Sequence, residues 1–281
     1  MRKLGKSIEL MVWPLAAVLV FLAFQLIGSF VVSTVAFFSY GEDATATVSV
    51  ASWALAASSL LTIVAMIGIR YFGLRLPLSL SGNRAVNVFV ALLAFVFSLA
   101  SATILNELAD EMLDVRMPAE YAELFKNTVH HPVGLLALCL LGPIAEECVF
   151  RGGIMRPLLM RGVNPWIAIL VSSVVFALVH GNMVQIGYAF IMGLVLAVIY
   201  YRTGSLLVTS LCHVLNNTVT AVMMLTLPDY EDVTVGQMIG RPLEIVVMLV
   251  AAALAFLLLK WLWRHTDDQF AETLQHIFET D

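Results

Sequence analysis

Apolar residues in this chain do not alternate with polar ones; they come in long runs, and most of the charge lies in the short stretches between the runs. A helix needs about 20 apolar residues to cross the hydrocarbon core of a bilayer, so each run predicts a span. Eight segments qualify, at approximately 10–38, 47–69, 85–105, 132–157, 164–181, 183–201, 204–226 and 242–263. The fifth to seventh are closely joined, through Gly181-Asn182 and Arg202-Thr203-Gly204, and their boundaries are the least defined. Between the third and fourth, Leu105, Leu108, Met112 and Val115 recur at spacings of three and four among acidic residues. This pattern predicts an amphipathic helix lying at the interface, as surface packing rather than as a lid. No internal repeat, low-complexity tract or soluble domain is visible. The expected fold is all-α: one polytopic membrane domain over residues 1–281, a bundle of about eight transmembrane helices with a catalytic core at about 130–220.

Charge placement orients the spans, because Lys and Arg collect on connections that face the cytoplasm. Arg2, Lys3 and Lys6 precede the first span, Arg70, Arg75 and Arg84 follow the second, and Arg156 and Arg161 follow the fourth. Arg202 follows the sixth, and Lys260 and Arg264 end the eighth. The alternate connections are acidic or neutral: Glu42 and Asp43, then Glu107 to Glu123, then Gly181-Asn182, then Asp229, Glu231 and Asp232. Both termini are therefore expected in the cytoplasm, in a multi-pass protein of a bacterial inner membrane. Residues 10–41 carry no charge, a run about twice as long as the apolar region of a signal peptide, so a retained first span is expected.

Composition narrows the classes. The 281 residues are 60% hydrophobic and 12% charged, against roughly half and about a quarter in a soluble domain. A mean hydropathy of +0.93 excludes intrinsic disorder. The formal charge of −5 leaves no general basic surface, so nucleic acid is not an expected partner. Cys139, Cys148 and Cys212 lie inside apolar segments without zinc-ribbon or disulfide spacing and read as small buried hydrophobes.

Ionisable groups at membrane depth are costly, about 2.5–3.5 kcal/mol or more each, and so mark candidate chemistry. The fourth segment holds Glu146, Glu147 and Arg151, the fifth ends in His180, and the seventh holds His213, Asn216 and Asn217. Positions four apart share a helix face. Glu147 therefore pairs with Arg151, Phe176 with His180 and His213 with Asn217, while Glu146 has no partner on its own helix and is the candidate general base. Glu146 and His180 each lie 17 residues from the turn near Val163, so they should reach a similar depth. Gly152, Gly153 and Pro157 are expected to kink the fourth segment and bring His213 and Asn217 level, in one convergent cavity. The structural alternatives are an ion pair, a packing histidine and, for Asn216, a helix-contact amide; Glu244 reads as an ordinary first-turn carboxylate. The clustering on three spans favours a reactive site.

The strings Glu146-Glu147-Cys148-Val149-Phe150-Arg151, Phe176-Ala177-Leu178-Val179-His180 and His213-Val214-Leu215-Asn216-Asn217 resemble, in order, the EExxxR, FxxxH and HxxxN motifs of the CPBP family, also called Abi. That family includes type II CAAX prenyl endopeptidases and bacterial bacteriocin-processing or self-immunity relatives. The resemblance covers roughly residues 130–220. It implies an intramembrane endopeptidase in which Glu146 and His180 activate a water, His213 and Asn217 stabilise the oxyanion, and Glu147, Arg151 and Phe176 support them. It implies a membrane-associated protein or peptide substrate, whether of CAAX or bacteriocin type, within the lipid bilayer. Because the family is often labelled metalloprotease, Glu146, His180 and His213 are also a candidate zinc set, their chemistry being suited to it.

Other intramembrane protease chemistries fail on inventory: the eight spans hold no aspartate, and no His-Glu-x-x-His or Gly-x-Ser-x-Gly string occurs. A proton-coupled transporter using Glu146 and His180 as a relay would call for inverted repeats, which are not seen. The alternative from another class is a non-catalytic membrane immunity or scaffold protein that keeps the motif residues for structure.

Overall fold

The structure is a computed structural model and describes residues 2–40, 48–72, 84–115, 118–181, 183–227 and 234–266. These residues form α1 (Arg2–Tyr40), α2 (Val48–Phe72), α3 (Arg84–Leu113), α4 (Ala119–His130), α5 (Pro132–Met160), α6 (Pro165–Leu178), α7 (Met183–Thr203), α8 (Leu206–Thr226), α9 (Val235–Ile239) and α10 (Arg241–His265), with no strand among the described residues. Seven of the helices are long and apolar enough to cross a membrane. The protein is thus a polytopic helical membrane protein, as expected. The remaining expected span, 164–181, is α6, whose 14 residues rise about 21 Å at about 1.5 Å each, short of the roughly 30 Å hydrocarbon core.

The connection after the third span departs from expectation. Leu105, Leu108 and Met112 are the last turns of α3 itself, because nothing between Leu105 and Leu113 breaks a helix; the stop comes at Asp114, whose φ is +49°. The separate amphipathic helix is the next one, α4, which exposes Tyr121, Leu124 and Phe125 along one side. Of the residues in the charge alternation, Glu42, Asp43, Arg75, Asn182, Asp229, Glu231 and Asp232 lie outside the described residues.

The helices group into two compact units that interleave along the chain. One holds α1, α2, α4, α5 as far as Ile154 and α8 from His213; the other holds α3, the end of α5, α6, α7, the start of α8, α9 and α10. In the first unit α1 packs on α2, and α2 packs on α4 and α5. Gly153 lets α5 approach closely: a Cβ there would stand 2.8 Å from Met66 Cε and 3.3 Å from Ala17 Cβ.

In the second unit α3 packs against α10 and α7, and α6 against α7. Glu244, at the first turn of α10, is fully buried and receives a 2.7 Å bond from Arg241, which also reaches Glu111 of α3. At the other end of α10, buried Arg202 donates through Nε to Thr266 Oγ1 (2.9 Å) and through a terminal nitrogen to the carbonyls of Trp263 (2.6 Å) and Thr266. Its guanidinium also lies 4.7 Å from the Trp263 ring centre. The last carbonyls of a helix have no partner within it, so Arg202 caps α10. Arg202→Ala is expected to destabilise the protein by about 1.5–3 kcal/mol, read as a lower thermal midpoint in detergent. An unchanged midpoint would remove this role.

Candidate active site

The site is built on α5, which is twice widened by π-helical turns, at Ala137–Leu141 and Cys148–Met155. Prolines explain where the regular ladder fails, since Pro143 and Pro157 have no N–H to donate. The second π stretch holds Gly152 and Gly153 and ends just before Pro157, where the sequence predicts a kink. Glu146 and Glu147 lie on the α-helical stretch Gly142–Glu147 between the two.

Adjacent positions on a helix point about 100° apart, and the two carboxylates meet different surroundings. Glu147 is wholly buried; Glu146 keeps 26% of its side chain exposed. Glu147 Oε1 lies 3.0 Å from Arg151 Nη1, itself fully buried, so the expected pair is formed. The same oxygen lies 3.1 Å from Nδ1 of His213, on α8. With Nδ1–H donating to Glu147, the other ring nitrogen faces outward, and Nε2 stands 3.7 Å from Glu146 Oε2, an ion-pair separation rather than a hydrogen bond. Arg151, Glu147, His213 and Glu146 thus form one chain of charge-bearing groups within a single unit.

Asn217 lies one turn beyond His213. Its Nδ2 donates to the carbonyl of Leu138 on α5 (2.8 Å), and its Oδ1 accepts from Asn216 Nδ2 (2.8 Å). Asn216, expected as a helix-contact amide, donates to the side chain of its neighbour. The spacing of the motifs does not signal either bond, nor the one between Glu147 and His213, which are 66 residues apart.

Phe176 and His180 belong to the second unit, at the end of α6. There the backbone tightens, and the N–H of His180 bonds Ala177 O rather than the carbonyl of Phe176 four residues back. The ring takes that carbonyl instead: Nδ1 lies 2.8 Å from Phe176 O, edge-on to the Phe176 ring with centroids 4.9 Å apart. A carbonyl can only accept, so Nδ1 carries the proton of this bond, and Nε2 is the nitrogen left without it. Gly193 of α7 supports this corner, since a Cβ there would stand 3.2 Å from Phe176 Cδ1.

Among the described residues, no group of three or more His, Cys, Asp or Glu side chains is arranged to hold a metal ion. Of the candidate zinc set, the structure pairs Glu146 with His213, two donors where a catalytic zinc takes three protein ligands. The third residue of that set, His180, belongs to the other unit.

Fold and site together define a polytopic membrane protein with a buried carboxylate, imidazole and guanidinium cluster. Residues 128–219, which contain all three motifs, match the family model described as type II CAAX prenyl endopeptidase Rce1-like, so the resemblance to the CPBP family holds over this segment. The chain is 26% identical over 141 residues to YdiL of Bacillus subtilis (strain 168), whose name proposes a membrane peptidase; the match covers 50% of this chain and 57% of that protein. It is 33% identical over 103 residues to the membrane-embedded CAAX protease MroQ of Staphylococcus aureus (strain USA300), covering 35% and 42%. A 24.3 kDa Escherichia coli protein, uncharacterized by name, is 31% identical over 83 residues, covering 28% and 38%. The chain therefore spans about half the length of the curated relatives it matches. No solved structure matches it at comparable significance.

Proposed function

We propose that this chain is an intramembrane endopeptidase that hydrolyses peptide bonds of membrane-associated substrates with a water activated by Glu146. The observation that carries the reading is the division of labour between two neighbouring carboxylates: Glu147 is sealed against Arg151 and His213, while Glu146 is partly exposed beside His213 Nε2. In this mechanism Glu146 takes a proton from water, and the water oxygen attacks the scissile carbonyl. The oxyanion that develops accepts from His213 Nε2–H and from the second N–H of Asn217, and the proton held by Glu146 passes to the leaving amine.

His213 donates through Nε2 only when both ring nitrogens carry protons. The motif resemblance assigns His180 to water activation with Glu146, and the contact of its Nδ1 with the Phe176 carbonyl leaves Nε2 as the nitrogen for that role. The test is direct: purified protein in liposomes is offered membrane-anchored peptides, CAAX-type tails among them, and products are mapped by mass spectrometry. Cleavage by the native chain and none by Glu146→Gln is expected; equal cleavage by both, or by neither, overturns the reading.

The same proposal places both termini in the cytoplasm, which requires α6 to count as an eighth crossing. Reporter fusions at either end are expected to report the cytoplasmic side. Opposite sides would show that α6 does not cross.

A further inference from the structure

We propose that Pro143 is a positioning residue for Asn217: by withholding one backbone N–H from α5, it leaves the Leu138 carbonyl as a clamp that aims the Asn217 amide. The inference rests on the endopeptidase reading for the purpose of the amide, but the clamp itself is argued from backbone hydrogen bonding. In a regular helix the carbonyl of Leu138 would accept from the N–H of Gly142, four residues on. Here that N–H bonds Ala137 O, five residues back, as a π turn requires. Continued for one more residue, the same pattern would serve Leu138 from position 143, and proline has no N–H to give.

The Leu138 carbonyl is therefore without a helical donor in a membrane span, where an unsatisfied carbonyl is costly. Asn217 Nδ2, at 2.8 Å, supplies the missing bond. The orientation of the amide follows from its partners: turned over, Oδ1 would face a carbonyl oxygen and Nδ2 would face the donor Nδ2 of Asn216. Two bonds thus fix the amide plane, and the second N–H of Asn217 has no partner among the described residues. That N–H and His213 Nε2 sit one helical turn apart on α8, on a common face. Pro143 stands close to Glu146 in sequence yet acts, through Leu138, on a residue of another helix.

The test is a double-mutant cycle on the full chain in detergent, read by thermal unfolding and by kinetics. Pro143→Ala restores an N–H that can take the Leu138 carbonyl. In the native background Asn217→Ala orphans that carbonyl and lowers Tm; in the Pro143→Ala background the drop is expected to be clearly smaller. Kinetically, Asn217→Ala is expected to lower kcat by roughly 10²–10³-fold, as loss of an oxyanion donor does. Pro143→Ala is expected to lower kcat by about tenfold or more with KM unchanged, within that same ceiling, and the double variant should fall little below Asn217→Ala. Additive Tm losses, or an unchanged kcat in Pro143→Ala, would overturn the proposal. If Pro143→Ala does not fold, Asn217→Asp and Asn217→Leu replace it: Asp sets an acceptor against the carbonyl and should unfold below Leu, and the reverse order would overturn the clamp. The thermal arms need no substrate, so coupled Tm losses in a native chain that cleaves nothing would sink the protease reading and leave the clamp standing.

Discussion

Glu146→Gln is expected to lower the rate of peptide hydrolysis by roughly 10²–10⁴-fold, the range a positioned general base contributes. The amide keeps the shape and the partial exposure of the side chain but cannot take the water's proton. Tm should stay close to that of the native chain, because Glu146 approaches His213 at 3.7 Å and makes no hydrogen bond to it. Progress curves on a membrane-anchored peptide, paired with a thermal scan, would separate the two quantities. A variant that loses stability together with activity would mean that Glu146 is structural. One that retains both would show that hydrolysis does not use Glu146 as its base.

Arg151→Met should produce the largest loss of stability, about 3–5 kcal/mol, the usual cost of removing one partner from a buried ion pair. Methionine approximates the volume of the aliphatic stem, so the loss would come chiefly from the charge: the Glu147 carboxylate, with no exposed surface, would lose its guanidinium partner. Changing Glu147 to Gln as well removes the stranded charge, and the double variant is expected to be more stable than Arg151→Met alone. Chemical unfolding in detergent would give both values. A double variant less stable than the single one would show that packing, not charge, dominates there.

Much of this was legible in the sequence wherever the governing pattern is local. Runs of about 20 apolar residues mark the helices because a bilayer demands that length, and the Glu147–Arg151 and Phe176–His180 pairs follow from a helical turn. What escaped depends on partners far along the chain or on backbone donors that side-chain patterns do not report. The bond from His213 to Glu147 joins positions 66 apart, and the cap that Arg202 places on α10 joins positions 64 apart. The spacing of Leu105, Leu108, Met112 and Val115 among acidic residues predicts a separate interfacial helix, whereas a helix continues until something stops it, here Asp114. Pro143 was visible all along, but its effect shows only once the N–H of Gly142 is found bonded to Ala137.

The end of α6 ties an acid–base property to the place where a helix stops. α6 stops at Leu178, and Gly181, with φ +66°, takes a left-handed turn just after His180. Were the winding to run one residue further, the peptide nitrogen of His180 would reclaim the oxygen of Phe176, and the imidazole would be released to hold its proton on either side. A glycine turn just past the helix thereby helps to set which ring nitrogen meets the Phe176 carbonyl.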